Sequence, residues 1–411
     1  MLKYWPENSA FTVLTVKPSY FYAYDKELSR EIPPFVRVVR TGSLDPFRLI
    51  YLFKKIIPAR QKKMSTNNRE SAGLFRKISA YLFLPDSRVL WLPFALLKLW
   101  RIHRERQIDL LIATAPPFTS ALIGKIFSGL SGVPLLLDMR DAWTNNPYLP
   151  EVSKIYNKIQ TKLEAAVFKT AAATVFVNPH LQSYYLSKYP YLKERPGCVV
   201  RNGYDAEDFK SLETTHTKND SRLFTIGIMG TIYSQGNAPY PLLKAVKLLR
   251  EKEPHLAGKL KIVFIGKWAD DFLSRIREMG VEENCQFVAY RPHREALQLA
   301  KKMDMLSLAV EDRGPGSENV TPGRIYEYLA LRRPILAMGP AESDIKYLLE
   351  ESGSGYYFEY GQTDIIFEHL LVWLNNPLEL SCGGDQAFLS NYERKNLAAQ
   401  YYSFLSSFFL S

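Results

Sequence analysis

From about residue 100 onward the chain alternates short apolar runs with longer amphipathic ones, and this pattern limits the fold more than any other feature. Asp109–Thr114 (DLLIAT), Pro134–Asp138 (PLLLD), Ala173–Val177 (ATVFV) and Gly197–Arg201 (GCVVR) read as short strands buried on both faces. Phe118–Leu130 and Val152–Thr170 lie between them with helical length and spacing. Strands this short, separated by long helices, require a parallel sheet with crossover connections. The pattern stops at Asp205–Ser221, which is polar and rich in turn formers, and then restarts. The second series has strands at Thr225–Gly230, Lys261–Gly266, Cys285–Tyr290, Asp304–Val310 and Arg333–Gly339. Its helices are Pro241–Glu253, Ala269–Met279, His293–Lys302 and Pro322–Leu331. A chain of 411 residues also exceeds one ordinary core. The expected fold is therefore α/β, with two Rossmann-like doubly wound domains facing a cleft and ligands at the carboxyl ends of the strands. The boundaries read as 1–205, a linker over 206–221, a second domain over 222–395, and a C-terminal helix over 396–411 packing back on the body.

Charge is divided unequally between the halves. Residues 1–205 hold 30 Lys and Arg against 15 Asp and Glu, a net of +15, while the remainder nets −4. A basic half suits an anionic membrane surface or phosphorylated substrates. Nucleic acid is disfavoured, because no zinc-finger spacing, aromatic RNA-binding signature or basic zipper occurs. Cys198, Cys285 and Cys382 are odd in number and far apart, which fits a reducing compartment. Met1–Ala10 lacks the apolar segment of a secretory leader, and no run is long enough to span a bilayer. Val89–Trp100 (VLWLPFALLKLW) comes closest. Flanked by Lys54, Lys55, Arg60, Lys62 and Lys63 before it and Arg101, Arg104 and Arg106 after it, it reads either as an interfacial helix or as a core helix. The charge asymmetry favours the membrane surface.

The segment richest in chemistry is Glu311–Met338. A strand ends at Val310, a Gly/Pro-rich loop follows, and Thr321-Pro322 reads as the cap and first residue of a helix. Gly323 leaves room for a ligand against the backbone, and the helix N-terminus suits a diphosphate. Arg324 can clamp phosphate oxygens, and Glu327, on the same helical face, can accept hydrogen bonds from vicinal hydroxyls such as those of a ribose. The plain alternative is an Arg324–Glu327 surface ion pair. Ile325, Leu329 and Tyr328 turn toward the core.

Three segments together, VVRNGYDAEDF around Gly203, the strand end at Gly230-Thr231, and Pro322–Ile335 (PGRIYEYLALRRPI), resemble the retaining GT-B glycosyltransferases of family 4. The resemblance spans residues ~100–380. It implies a nucleoside-diphosphate sugar as donor, with Arg324 on the diphosphate in place of the family's usual Lys and Glu327 on the ribose. Arg332 stands where the family has Gly. Asn319 occupies the position of a second family Glu, with Glu318 one place off. The family's Arg and Lys after the first donor-domain strand have no counterpart in Gly230–Gly236, and Lys267, at a strand end, can supply a replacement charge. The donor set is thus Gly230, Thr231, Lys267, Asn319, Thr321, Gly323, Arg324 and Glu327. The resemblance extends to members that assemble polysaccharide and O-antigen, and it implies a lipid-linked acceptor. The implied protein is a cytoplasmic enzyme on the inner face of the plasma membrane.

In the first domain, Leu137–Tyr148 (LDMRDAWTNNPY) follows a strand, and the same D-x-R-D-x-W run recurs in those polysaccharide enzymes. Asp141 is the candidate base for the acceptor hydroxyl, with a helix cap or an ion pair to Arg140 as the plainer reading. Arg140 and Trp143 are the candidate acceptor contacts, and Ala113–Ser120 (ATAPPFTS) reads as a turn on the same edge. His180 and His293 read as lone structural histidines. Asp270-Asp271 falls in a helix start, so neither a catalytic metal nor a cofactor is expected, and Arg324 with helix dipoles would neutralise the leaving diphosphate. A nucleotide-sugar epimerase and a non-catalytic assembly subunit are the competing readings. Finally, Phe11–Val16 (FTVLTV) resembles the family's second strand, so the opening strand and its glycine-rich turn are expected to be missing.

Overall fold

A computed structural model describes residues 1–7, 9–17, 31–44, 81, 83–149, 152–210, 212, 223–233, 236–377, 380 and 384–409. The chain forms two compact units. The first comprises Met1–Val177, Leu181–Val200 and Tyr401–Ser411, and the second Asn178–His180 and Arg201–Gln400.

In the first unit β1 (Thr12–Val16) and β2 (Arg37–Thr41) form a parallel pair. The helix α1 (Leu92–Glu105) packs beside them. A four-stranded parallel sheet follows in the order β3-β4-β5-β6: Leu111–Ala115, Leu135–Met139, Ala173–Phe176 and Gly197–Val199. All five residues of β4 are buried, the charged Asp138 among them, as expected of a central strand in a parallel sheet covered on both faces. The crossovers are α2 (Phe118–Ser131) and α3 (Lys154–Thr170).

The interfacial-helix reading of Val89–Trp100 is corrected here. Trp91, with Ala95 and Leu99 of α1, is buried against Ile123, Phe127 and Val133, with Leu14 and Val16 of β1 packed alongside. The apolar stripe is used by the core, and Leu97, 63% exposed, is the large apolar side chain left facing outward. The basic residues Lys54 to Lys63 lie outside the described residues. Tyr401 of the C-terminal segment stacks on Trp5 at 5.4 Å, and the Ser9 and Tyr402 hydroxyls meet at 3.0 Å.

The second unit is a six-stranded parallel sheet in the order β12-β11-β10-β7-β8-β9. In chain order these are β7 (Phe224–Ile232), β8 (Leu260–Trp268), β9 (Cys285–Ala289), β10 (Met305–Ala309), β11 (Ile335–Gly339) and β12 (Gly355–Glu359). The first strand sits at the centre and the order reverses between β7 and β10, as in a doubly wound nucleotide-binding sheet. Beyond the expected elements lie β12 and the helices Asp344–Ser352 and Thr363–Asn375 that flank it in sequence. Among the described residues no helix is long and apolar enough to cross a membrane.

Candidate functional site

The reversal between β7 and β10 places a crevice at the carboxyl ends of those strands, and the site is built there. β7 and β8 run in register so that Gly230 faces Gly266 and Thr231 faces Lys267. Both glycines have positive φ, +109° and +140°. A Cβ on Gly266 would fall inside the Gly230 carbonyl, so only glycine lets the two strand ends close up. Beyond β7, the Gly236 N–H donates to a Glu311 carboxylate oxygen at 2.6 Å and the Glu311 N–H to the Gly236 carbonyl at 2.9 Å. The loops after β7 and β10 are thereby tied together.

Arg324 begins the helix Arg324–Leu331 and reaches over Gly230, its Nη1 donating to the Met229 carbonyl at 2.7 Å. Tyr328, one turn on and fully buried, accepts from the Met229 N–H at 2.7 Å. One helix face thus fixes both polar groups of Met229 and holds the Arg324 guanidinium at the strand end. Lys267 lies on the neighbouring strand, its ammonium 5.2 Å from the centre of the Tyr290 ring. Two cations therefore stand at the ends of β7 and β8.

Thr321 does not cap this helix. The helix starts at Arg324, with Gly323 as the preceding residue, and the first turn is tightened by bonds from Ile325 to Pro322 and from Tyr326 to Gly323. Thr321 is instead buried, accepting from Asn178 Nδ2 at 3.0 Å and approaching Asp344 Oδ2 at 3.5 Å. The Gly323 and Arg324 N–H groups belong to the helix start, where no intrahelical carbonyl is available to them. Nothing lies within 4 Å of where a Gly323 Cβ would be.

Asn319 ends a short 3-10 turn and is 2% exposed. Its carbonyl accepts from Asn178, but neither Oδ1 nor Nδ2 of its side chain has a hydrogen-bond partner. An amide buried with both ends unsatisfied is costly unless a ligand or water completes it.

Arg324 and Glu327 do not form the ion pair considered above. Glu327 turns to His293, with Oε1 3.7 Å from Nε2, and the same Nε2 lies 3.7 Å from Asp208 Oδ2. Burial raises the Glu327 pKa, opposed by the nearby His293, Arg394 and Arg324 charges. The His293 pKa is raised by its interaction with Asp208, against the effect of burial, with Glu327 adding to the rise. His293 is therefore not a lone histidine. The expected linker also begins with a helical turn, Glu207–Lys210, which carries Asp208 to it. The route there is the VVRNGYD segment. A Cβ on Gly203 would collide with the Tyr392 carbonyl, and the Tyr204 N–H bonds that same carbonyl at 3.1 Å.

In the first unit the loop after β4 carries Arg140, Asp141 and Trp143. Arg140 pairs with buried Asp138 at 2.8 Å and donates to the Val200 carbonyl at 2.9 Å, so its charge is used internally. Trp143, expected at the acceptor, is a core residue at 2% exposure. Its ring stacks on Phe118 at 4.7 Å, and its indole N–H donates to Gln160 at 2.8 Å. Thr144 is anchored to fully buried Glu164 through its N–H and hydroxyl, at 3.0 and 2.8 Å. Glu164 also pairs with Lys188. Between these anchors Asp141 is half-buried and makes neither ion pair nor side-chain hydrogen bond among the described residues, and burial pushes its pKa up to about 6. The Ala113–Ser120 turn is closed by protein: Asp86 accepts from the Thr119 N–H and hydroxyl at 2.9 and 2.7 Å, filling the α2 N-terminus.

Residues 56–208 match the family model described as Glycosyltransferase Family 4. Over that stretch the chain is similar to family 4 glycosyltransferases. That match covers much of the first unit, whereas the Gly230–Arg324–Glu327 constellation lies beyond it. Solved structures resemble the chain across both units. Anabaena HepE in complex with UDP and glucose is 17% identical, over 77% of this chain and 83% of that one, with a TM-score of 0.56. Sucrose-phosphate synthase from Thermosynechococcus elongatus is 11% identical, over 98% and 89%, at 0.59. An α,α-trehalose-phosphate synthase from Burkholderia vietnamiensis is 9% identical, over 97% and 99%, at 0.60. At these identities the likeness is one of fold, and the fold is GT-B. No curated protein sequence matches this one.

Proposed function

We propose that this glycosyltransferase takes its sugar from a nucleoside diphosphate bound at the β7–β10 crevice of the second unit. The observation that carries the reading is the convergence of Gly230, Gly266, Lys267 and Arg324 at two adjacent strand ends, beside a helix start. Bare backbone lets a diphosphate approach closely, while the Arg324 and Lys267 charges and the helix N–H groups meet its negative charge. That charge grows on the leaving diphosphate as the glycosidic bond breaks, so the same groups favour the transition state. Asn319, with its unsatisfied amide, serves the sugar hydroxyls, and Glu327 accepts from the ribose diol. UDP and glucose in HepE illustrate a ligand pair suited to such a site. In the first unit Asp141 takes the proton of the acceptor hydroxyl. The acceptor attacks on the leaving-group side, so the anomeric configuration is retained without a covalent nucleophile, and the cations present do the work of a metal.

The acceptor we infer is a lipid-linked saccharide in cell-envelope polysaccharide synthesis, met at the cytoplasmic face of the plasma membrane. The support is the net +15 of residues 1–205. Since α1 spends its apolar face on the core, attachment should be mainly electrostatic. The protein should sediment with anionic vesicles at low salt and be released as salt screens the charge. Equal binding to neutral vesicles would remove this support.

The reading as a whole is tested by incubating the protein with labelled nucleotide sugars, with and without extracted membrane lipid and with a chelator. Label should pass into lipid only when lipid is added, and the chelator should not stop it. Conversion of free donor to its epimer would indicate the epimerase, and an inert protein under all conditions the assembly subunit.

A further inference from the structure

His293 is the group in the second unit with the least expected surroundings. It opens the helix His293–Lys301, and its side chain is 30% exposed. Its Nε2 stands 3.7 Å from a carboxylate oxygen on each of two separate elements, Asp208 on the Glu207–Lys210 turn and Glu327 on the helix that carries Arg324. The charged groups around this pair are Asp208, Arg324 and Arg394, the last at the start of the helix Arg394–Phe409 and hydrogen-bonded through Nε to the Gly203 carbonyl at 3.2 Å. A half-buried carboxylate accepts from both hydroxyls of a diol best when it is held in one orientation.

We propose that His293 is a positioning residue for the donor: its imidazolium, anchored by Asp208, holds the Glu327 carboxylate in one orientation, aimed for the vicinal hydroxyls of the nucleotide ribose. This rests on the donor reading given above. Arg324 lies one turn earlier and is committed to the Met229 carbonyl, so His293 is the cation that Glu327 contacts as an ion pair. Asp208 accounts for the arrangement, since a histidine shared by two carboxylates keeps its proton to higher pH than one beside a single carboxylate. The consequence is a pH-dependent preference for ribose. It is strong while His293 is protonated and weakens as pH rises through its raised pKa.

The test is calorimetric binding of uridine and guanosine diphosphates, each against its 2′,3′-dideoxy analogue, from pH 6 to 9. Wild-type protein should prefer the ribose form about tenfold at the acid end and less than about threefold at the alkaline end. His293→Gln should show less than about threefold preference throughout and lose the alkaline decline. Asp208→Asn should keep the preference but shift its decline to lower pH, a change that a purely structural role for His293 would not produce. If Glu327→Gln loses the preference while His293→Gln keeps it with the wild-type pH profile, the inference is overturned and the donor reading stands. If Glu327→Gln keeps the preference, or neither nucleotide binds wild-type protein, the donor reading fails and takes the inference with it. Should His293→Gln not fold, an unshifted profile in Asp208→Asn is sufficient to overturn the proposal.

Discussion

Asp141→Asn is expected to lower turnover by about a hundredfold or more, the range in which a positioned general base contributes, while making the protein more stable at neutral pH. Both effects follow from one fact: a half-buried carboxyl lies between anchored neighbours with its pKa raised to about 6. As a base it works when ionised, so wild-type activity should rise through about pH 6 and then level off. The stability effect runs the other way. Below the unfolded-state value of 3.8 the group is protonated in both states and costs nothing extra. Between 3.8 and about 6 the unfolded chain releases the proton while the folded chain keeps it, so stability falls as pH rises. Above about 6 the cost is complete, on the order of 3 kcal/mol, and asparagine removes it. Thermal denaturation at pH 4 and pH 7 checks this, since the gain should appear only at the higher pH. An Asn variant with wild-type turnover would remove Asp141 from the reaction.

The second large effect is expected at Arg324. Arg324→Ala should cost on the order of 3 kcal/mol in the transition state, a loss of at least about a hundredfold in turnover. Its cost in stability should be modest, about 1 kcal/mol for the lost bond to the Met229 carbonyl. Arg324→Lys should recover much of the activity, because a point charge still meets the diphosphate although the fork is lost. A lysine variant no better than alanine would mean that Arg324 matters through Met229 rather than through the donor. Steady-state kinetics with a calorimetric melt on each variant separates these outcomes.

The fold was legible where the sequence carries a local signal. β4 and β10 are buried along their whole length, and such strands are mostly apolar runs with helices between them. Gly230, Arg324 and Glu327 were legible for a related reason: each sits at the end of a strand or the start of a helix, where sequence pattern shows the element changing. Non-local contacts were not legible. Thr321-Pro322 carries the signature of a helix start, yet Asn178 and Asp344, remote in sequence, draw Thr321 into a buried polar cluster and delay the helix to Arg324. His293 looked solitary because its two carboxylates come from distant parts of the chain. Trp143 follows a strand, as ligand contacts often do, but Phe118 and Gln160 claim both its ring and its N–H. Val89–Trp100 is apolar enough for either a membrane interface or a core, and only the packing of Trp91, Ala95 and Leu99 decides between them.

Equilibrium binding of nucleoside diphosphates to the wild-type protein and to Arg324→Ala tests the central claim most directly. The account predicts one nucleoside diphosphate bound per wild-type chain, binding weakened at least about tenfold in Arg324→Ala, and binding unchanged in Asp141→Asn, which lies in the other unit. Failure of every nucleoside diphosphate to bind, or binding that is indifferent to Arg324, would contradict it.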